Sequence, residues 1–364
     1  MMAAHVRRGV LGGVTYGWGL GIVNAGAVQL GLRLDVAPAV VAGHLTALSI
    51  GLFLIGISDL VLVRAVRLAA PCLLGLAGLG LLLAPTVVVS LAAAFVVGAS
   101  SSVVLAQSQR LVTAGQPDDR WLMWTNASTA LAVAASSGLV AVLDRPLLVA
   151  LPGLLAGLAA TTPVLPGDAV IRGEVQPPEP EVRPAAPDTP QRSVQLSFLV
   201  LVVLAVGTEL TLANRVPDHL VSRGLDGVAA LAPALVYVGV AASRTLLALR
   251  RPRPLPGVTV SAGVVAVAVL GLLLLGNPSL GVIAVLVGGM GAGALFPLVA
   301  AATLASASDP SRTSARITAM VGLGTGVTPL AVGIADGLTG GAFWLVLPLT
   351  LAVGWLARRL AGST

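Results

Sequence analysis

Apolar residues run along this chain in blocks of roughly 20, separated by short polar gaps, from one end to the other. A block of that length is what an α-helix needs to cross a hydrocarbon layer about 30 Å thick. The pattern predicts twelve spans, at about 9–32, 37–63, 67–84, 86–112, 121–143, 146–165, 195–216, 228–249, 257–276, 279–305, 314–335 and 339–358. Glycine and proline punctuate many of them. Membrane helices tolerate this because neighbouring groups re-satisfy the freed backbone. The fold class expected is all-α, a polytopic membrane protein.

Composition sharpens the picture. Charged residues make up 10% of the 364, against about 25% in a soluble domain, and the mean hydropathy is +0.97. The formal charge of +6 would suggest nucleic acid in a soluble protein. Here the arginines lie at span ends and not in a stripe with aromatics, so they mark topology and no nucleic-acid partner is expected. The single cysteine, Cys72, excludes an intramolecular disulfide and a cysteine-based metal site. No phosphate-cradling glycine loop, His-Glu metal motif or nucleophile elbow occurs. Neither an enzyme nor a cofactor is expected, and no metal site. The first apolar block is long and lacks a small-residue cleavage pattern, so it is expected to stay as a span.

Basic residues are retained on the cytoplasmic side of a membrane. With the N-terminus placed there, only Arg33, Arg145, Arg215 and Arg223 of the 21 basic residues fall outside. Both termini are therefore expected in the cytoplasm, with the protein in the cell (plasma or inner) membrane. Residues 166–193 are proline-rich and of mixed charge, a linker composition. They divide the chain into six spans (1–165) and six spans (194–364). The halves repeat: Gly98 and Gly288, Asp118 and Asp309, Arg120 and Arg312, and Asp144 and Asp336 recur at offsets of 190 to 192 residues. Arg64 and Arg67 are answered by Arg250 and Arg253 at 186. Two six-helix bundles related along the membrane normal place a site between them near the midplane.

Several segments carry a family resemblance. Residues 207–251 contain a G-x-E in the seventh span and G-V-A-A-S-R (239–244) closing the eighth, where the family has G-x-x-x-G-R. Residues 288–312 and 322–336 match the tenth and eleventh spans. In order and spacing the chain resembles the major facilitator superfamily, and its seventh and eighth spans resemble sugar-permease-type members. The resemblance implies two pseudo-symmetric six-helix bundles that rock about a central cavity, usually in a monomer. The chain departs from the pattern between spans two and three, where Asp59 comes one residue early and a second glycine is missing. Ala94 stands where drug/proton antiporters carry an arginine, and residues 132–138 lack their glycine-proline run.

Glu209 is the residue most expected to act. A carboxylate well inside a span costs roughly 2.5–3.5 kcal/mol unless it faces a cavity or is protonated, so it is a candidate proton acceptor or solute ligand. Asn24 and Gln29 on the first span, Asn126 on the fifth and Tyr237 on the eighth are the companion candidates for solute or proton. Tyr16 and Trp18 are further aromatic candidates, Trp18 with a packing alternative. His44 reads as a satisfied polar residue or a relay member. Asp59, Arg64, Arg244, Asp118, Arg120, Asp309 and Arg312 are placed at the cytoplasmic rim, where the resemblance implies gate latches. As plain surface ion pairs they would be worth only about 0–1 kcal/mol each. Trp121, Trp124, Trp344 and Trp355 fall near span ends, as interfacial anchors do.

The function expected is secondary active transport of a small organic solute by alternating access, coupled to protons, with the lipid bilayer as the other partner. Two alternatives stand beside it: a drug or metabolite efflux antiporter, and a non-transporting sensor or assembly partner on the same fold.

Overall fold

The computed structural model describes residues 4–34, 38–58, 60, 63–113, 120–143, 146–161, 189–250, 253–274, 277–307, 310–339 and 342–362. Among them the chain forms helices and turns with no strand. In the first half these are α1 (Ala4–Leu34), α2 (Pro38–Gly56), α3 (Arg64–Leu82), α4 (Val87–Thr113), α5 (Arg120–Val142) and α6 (Pro146–Thr161). In the second they are α7 (Thr189–Ser222), α8 (Asp226–Arg250), α9 (Pro254–Leu274), α10 (Pro278–Ala305), α11 (Pro310–Thr339) and α12 (Val346–Ala361). A short 3-10 turn, Ala342–Leu345, leads into α12.

Helix starts follow the chemistry of the first turn. Helices α2, α6, α9, α10 and α11 begin on proline, whose missing N–H is not needed there and whose fixed φ is already helical. Asn277 caps α10, its side-chain oxygen accepting from the Ser279 and Leu280 amides. Helix α2 stops at Gly56 and not near residue 63 as the apolar run suggests. The Ser58 hydroxyl and amide both turn back onto the Ile55 carbonyl, and Gly56 lies against the backbone of Ala319 on α11, leaving no room for a side chain.

Eight helices among the described residues are by themselves long and apolar enough to cross a membrane. Their outer faces are apolar. On α9, Val260, Val267 and Leu274 form an i, i+7 stripe 68–78% exposed, and on the shorter apolar helix α6 Leu147, Leu151, Leu155 and Leu158 form an outward row 47–66% exposed. Such a face suits lipid and not water. Hydrophobicity alone cannot then drive helix against helix, because lipid tails are as apolar as leucine. Close packing of small residues does so instead. Gly51 and Gly98 let α2 and α4 touch backbone to backbone, and Gly239 and Gly289 do the same for α8 and α10. The structural counterpart of Gly98 is thus Gly289, one residue on from the Gly288 that sequence spacing suggests. Gly288 faces side chains of Leu212 and Ala268.

The helices form two bundles. Helix α1 packs on α3, α4, α5 and α6, and α4 on α2 and α3. Helix α7 packs on α8, α10, α11 and α12, and α10 on α8 and α9. The bundles meet mainly where α5 lies on α8 and α2 on α11, with smaller contacts of α11 on α4 and α10 on α5. Near the helix ends that carry Arg64, Arg110 and Arg312, Gly56 meets Ala319 and Gly322 meets Phe53. There the Ser314 hydroxyl also donates to the Gln109 side chain at 2.9 Å. The bundles are therefore closed against each other on the arginine-rich side.

Candidate functional site

Glu209 and Arg244 sit on consecutive helices. Helix α7 ends in a Schellman turn: the Leu225 amide reaches the Leu220 carbonyl, the Gly224 amide reaches that of Val221, and Gly224 takes the left-handed φ of 71° that this turn needs. The chain then reverses into α8. Counted from Gly224, Arg244 lies five residues further from the turn than Glu209, about 7 Å along the axis. Side chains on a helix lean toward its N-terminus. Glu209 therefore leans away from the turn and Arg244 leans toward it, and the two heads converge.

They meet in a buried ion pair. Arg244 Nη2 donates to Glu209 Oε2 at 2.6 Å, with Arg244 5% and Glu209 8% exposed. The other guanidinium nitrogens are also engaged. Nε donates to the Gly293 carbonyl of α10 at 2.9 Å, and Nη1 to the Asn126 carbonyl of α5 at 3.4 Å. One side chain thus ties α8 to α7 and α10 in its own bundle and to α5 in the other. Ser243, in place of the family glycine, turns its hydroxyl onto the Val240 carbonyl in its own helix, beside Gly293.

This corrects the sequence-based placement of Arg244 at the solvated rim. Six residues separate it from the end of α8, about 9 Å, and its lean carries the head inward, not outward. The structure brings Glu209, Tyr237 and Asn24 into the same region. Asn24 Nδ2 donates to the Tyr237 hydroxyl oxygen at 3.1 Å across the bundle interface, while Asn24 Oδ1 has no hydrogen-bond partner. Tyr16, on α1, is buried within electrostatic reach of both Glu209 and Arg244. The Asn126 side chain bonds back to the Leu122 carbonyl of its own helix, so its backbone, not its amide, serves the site. Gln29 lies in α1, but its side chain falls outside the described residues.

The remaining candidates are dispersed. Trp18 donates to the Val149 carbonyl at 2.7 Å and fills the first bundle. His44 bonds Ser90 at 2.8 Å within that bundle. Arg64 and Arg312 are exposed at helix starts. Asp59, Asp118 and Asp309, and the side chain of Arg120, lie outside the described residues. The contact that does close the arginine-rich side, Ser314 with Gln109 and with the Ala106 carbonyl, was not singled out from the sequence. A glutamine this near a span end carries no spacing signal to mark it. Among the described residues no cluster of His, Cys, Asp or Glu could hold a metal ion.

No family model matches the chain and no curated protein sequence does. Solved structures do match, over nearly its whole length. The E. coli fucose:proton symporter FucP superposes with a TM-score of 0.68 at 13% identity, over 97% of this chain and 98% of its own. The human organic anion transporter MFSD10 (TETRAN) gives 0.70 at 16% identity, over 98% and 100%. A bacterial homologue of the iron transporter ferroportin, outward-facing and soaked with iron, gives 0.70 at 12% identity, over 99% and 100%. At such identities the likeness is one of architecture, and the architecture of this chain is the fold of the major facilitator superfamily transporters.

Proposed function

We propose that the chain is a secondary active transporter that moves a small organic solute across the cell membrane by rocking two bundles (1–165 and 194–364, joined by the 166–193 linker), with Glu209 as the proton-coupling residue. The arginine-rich side is then the cytoplasmic one, both termini lie there, and the protein works as a monomer. The observation that carries this reading is the buried Glu209–Arg244 pair at the junction of the bundles. A charge pair inside a membrane is costly and marks an ion or solute path far more often than a structural brace. The third contact of Arg244, to the Asn126 carbonyl, crosses between the bundles. A change in the charge of Glu209 would release or re-aim Arg244, and so alter how the bundles hold each other. The superposing structures include a fucose:proton symporter and an organic anion transporter, so this architecture serves solutes of either kind.

Closure on the arginine-rich side is one limb of alternating access. Helices α2, α4 and α11 form that gate through glycine contacts and the Ser314–Gln109 bond. Opening would separate them while the site turns to the cytoplasm.

The test is solute-driven pH change in proteoliposomes, with pooled sugars, nucleosides, amino acids and amphipathic drugs against wild type and Glu209→Gln. A pool that moves protons with wild type and not with the variant supports the reading. Equal proton movement in both would remove Glu209 from the coupling step.

A further inference from the structure

Resting on that reading and naming its substrate, we infer that the solute is a small hydroxylated organic anion, the size of a three- to six-carbon hydroxy acid. Its carboxylate takes the place of Glu209 on Arg244 while Glu209 holds the co-transported proton.

The argument starts from the charge inventory of the interior. Among the described residues, Arg244 is the buried arginine and Glu209 the buried acid. A guanidinium keeps its charge at any accessible pH. Buried, it must always face an anion. With Glu209 ionised the pair is neutral. Once Glu209 accepts a proton, Arg244 is left as a lone cation unless another anion arrives. A sugar cannot discharge it, and an amine would add a second positive charge. The solute that travels with the proton is therefore an anion, and the guanidinium fork suits a carboxylate held through two parallel bonds.

The second observation is the free acceptor. Asn24 Nδ2 is fixed on Tyr237, and its Oδ1 lacks a partner. A buried acceptor without a partner is a place for a donor on the solute. Because the Tyr237 oxygen accepts from Asn24, its own O–H remains to donate. A hydroxyl on the solute, both donor and acceptor, satisfies both groups.

Spacing sets the size. Tyr237 and Arg244 are seven residues apart on α8, two turns along one face, about 10 Å between their Cα atoms. The arginine leans back along that face toward Tyr237. That spacing suits a solute whose carboxylate and hydroxyl are separated by a few bonds.

Charge balance then fixes the stoichiometry. The empty site (Glu209 ionised, Arg244 paired) is neutral. The loaded site (Glu209 protonated, carboxylate on Arg244) is also neutral. Either partner alone leaves an unpaired buried charge, so the bundles pass through the midpoint only empty or with both. One proton accompanies one monoanion, and no net charge crosses the membrane. The titratable groups around Glu209 are Arg244 and Tyr237 on α8 and Tyr16 on α1. Helix α10 carries none, and those of α11 and α12 lie in the first two turns (Arg312, Arg316) or the last turn (Asp336, Arg358, Arg359) of their helices.

The experiment compares matched acid and alcohol: D-glycerate with glycerol, and D-gluconate with D-glucose, in proteoliposomes with protein-free vesicles as the blank. The expected result is uptake of the acids and not of their neutral partners, driven by an inward pH gradient. It is abolished by nigericin and unchanged when valinomycin and potassium set a membrane potential. Arg244→Gln should weaken acid uptake about tenfold or more, with Arg244→Lys between it and wild type. Thermal unfolding, followed by labelling of Cys72, checks that each variant is folded. Preference for the neutral partner, or acid uptake that follows voltage, would overturn the inference and leave the transporter reading intact. So would proton movement with the amino-acid or nucleoside pool but with neither acid. No proton movement with these pairs or with any pool would instead overturn the transporter reading itself.

Discussion

Neutralising one member of the Glu209–Arg244 pair at a time tests whether the folded membrane protein holds that pair. The two heads are 2.6 Å apart and almost wholly removed from solvent. Removing one partner of such a pair costs about 3–5 kcal/mol, because the other charge stays behind unpaired. The two directions are not equivalent. Glu209→Gln strands a guanidinium that cannot shed its charge, with the Gly293 and Asn126 carbonyls as its remaining contacts. Arg244→Gln strands a carboxylate, which can neutralise itself by taking a proton. Glu209→Gln is therefore expected to be the more destabilising near pH 7, and Arg244→Gln to be less harmful in acid. The double variant places two amides where the charges stood and should recover much of the loss, giving a coupling energy of about 2–3 kcal/mol. The assay is an SDS titration of purified protein in mixed micelles. Reaction of Cys72, the single cysteine, with a thiol-reactive dye reports unfolding. Additive losses in the double variant, within about 0.5 kcal/mol, would refute the pair as described.

Other consequences follow from the packing. Gly289→Val forces a side chain into the α8 backbone near Val236, and should destabilise by about 1–3 kcal/mol or more in the same titration. Gly138→Ala on α5 meets nothing within 4 Å and should leave the midpoint unchanged or raise it, since alanine is the better helix former. Trp18→Phe loses the bond to the Val149 carbonyl and should cost roughly 1 kcal/mol, with no change in solute affinity. A Gln109→Cys, Ser314→Cys pair in a Cys72→Ser background joins α4 to α11 where they now share a bond of 2.9 Å. Oxidation should arrest transport and a reductant should restore it; uninterrupted transport in the cross-linked protein would remove this contact from the gate.

Much of the architecture was legible because lipid simplifies the code. Block length gives the helices, and proline at the first position marks five of their starts. Helix α2 ends early because a long-range contact, Gly56 on Ala319, decides where the run stops, and apolar length carries no information about that. The repeat was visible, but Gly98 was matched one residue off. Composition could not say which of the adjacent Gly288 and Gly289 faces α8. The site was legible as a set of polar residues in apolar surroundings. Glu209, Asn24 and Tyr237 stand out by their cost there, and the structure brings them together.

Arg244 shows why position along a helix is not depth in the membrane. Counted in residues, it lies near the end of α8, beside Arg250, where arginines normally mark topology. What decides its place is the direction of the Cα–Cβ bond together with the length of the side chain. On a helix whose N-terminus lies at the far face, a long side chain leans back toward the midplane, and an arginine about 9 Å short of the end reaches inward. On α7, running the other way, the same rule aims Glu209 at it. An acid on one helix and a base on its antiparallel neighbour, with the base some five residues further from the connecting turn, are placed to find each other. That offset is readable from sequence once a tight turn between the two helices is known, here the one at Gly224. It turns two isolated charges, each too costly to bury alone, into one neutral unit whose guanidinium also reaches the Asn126 carbonyl of the other bundle.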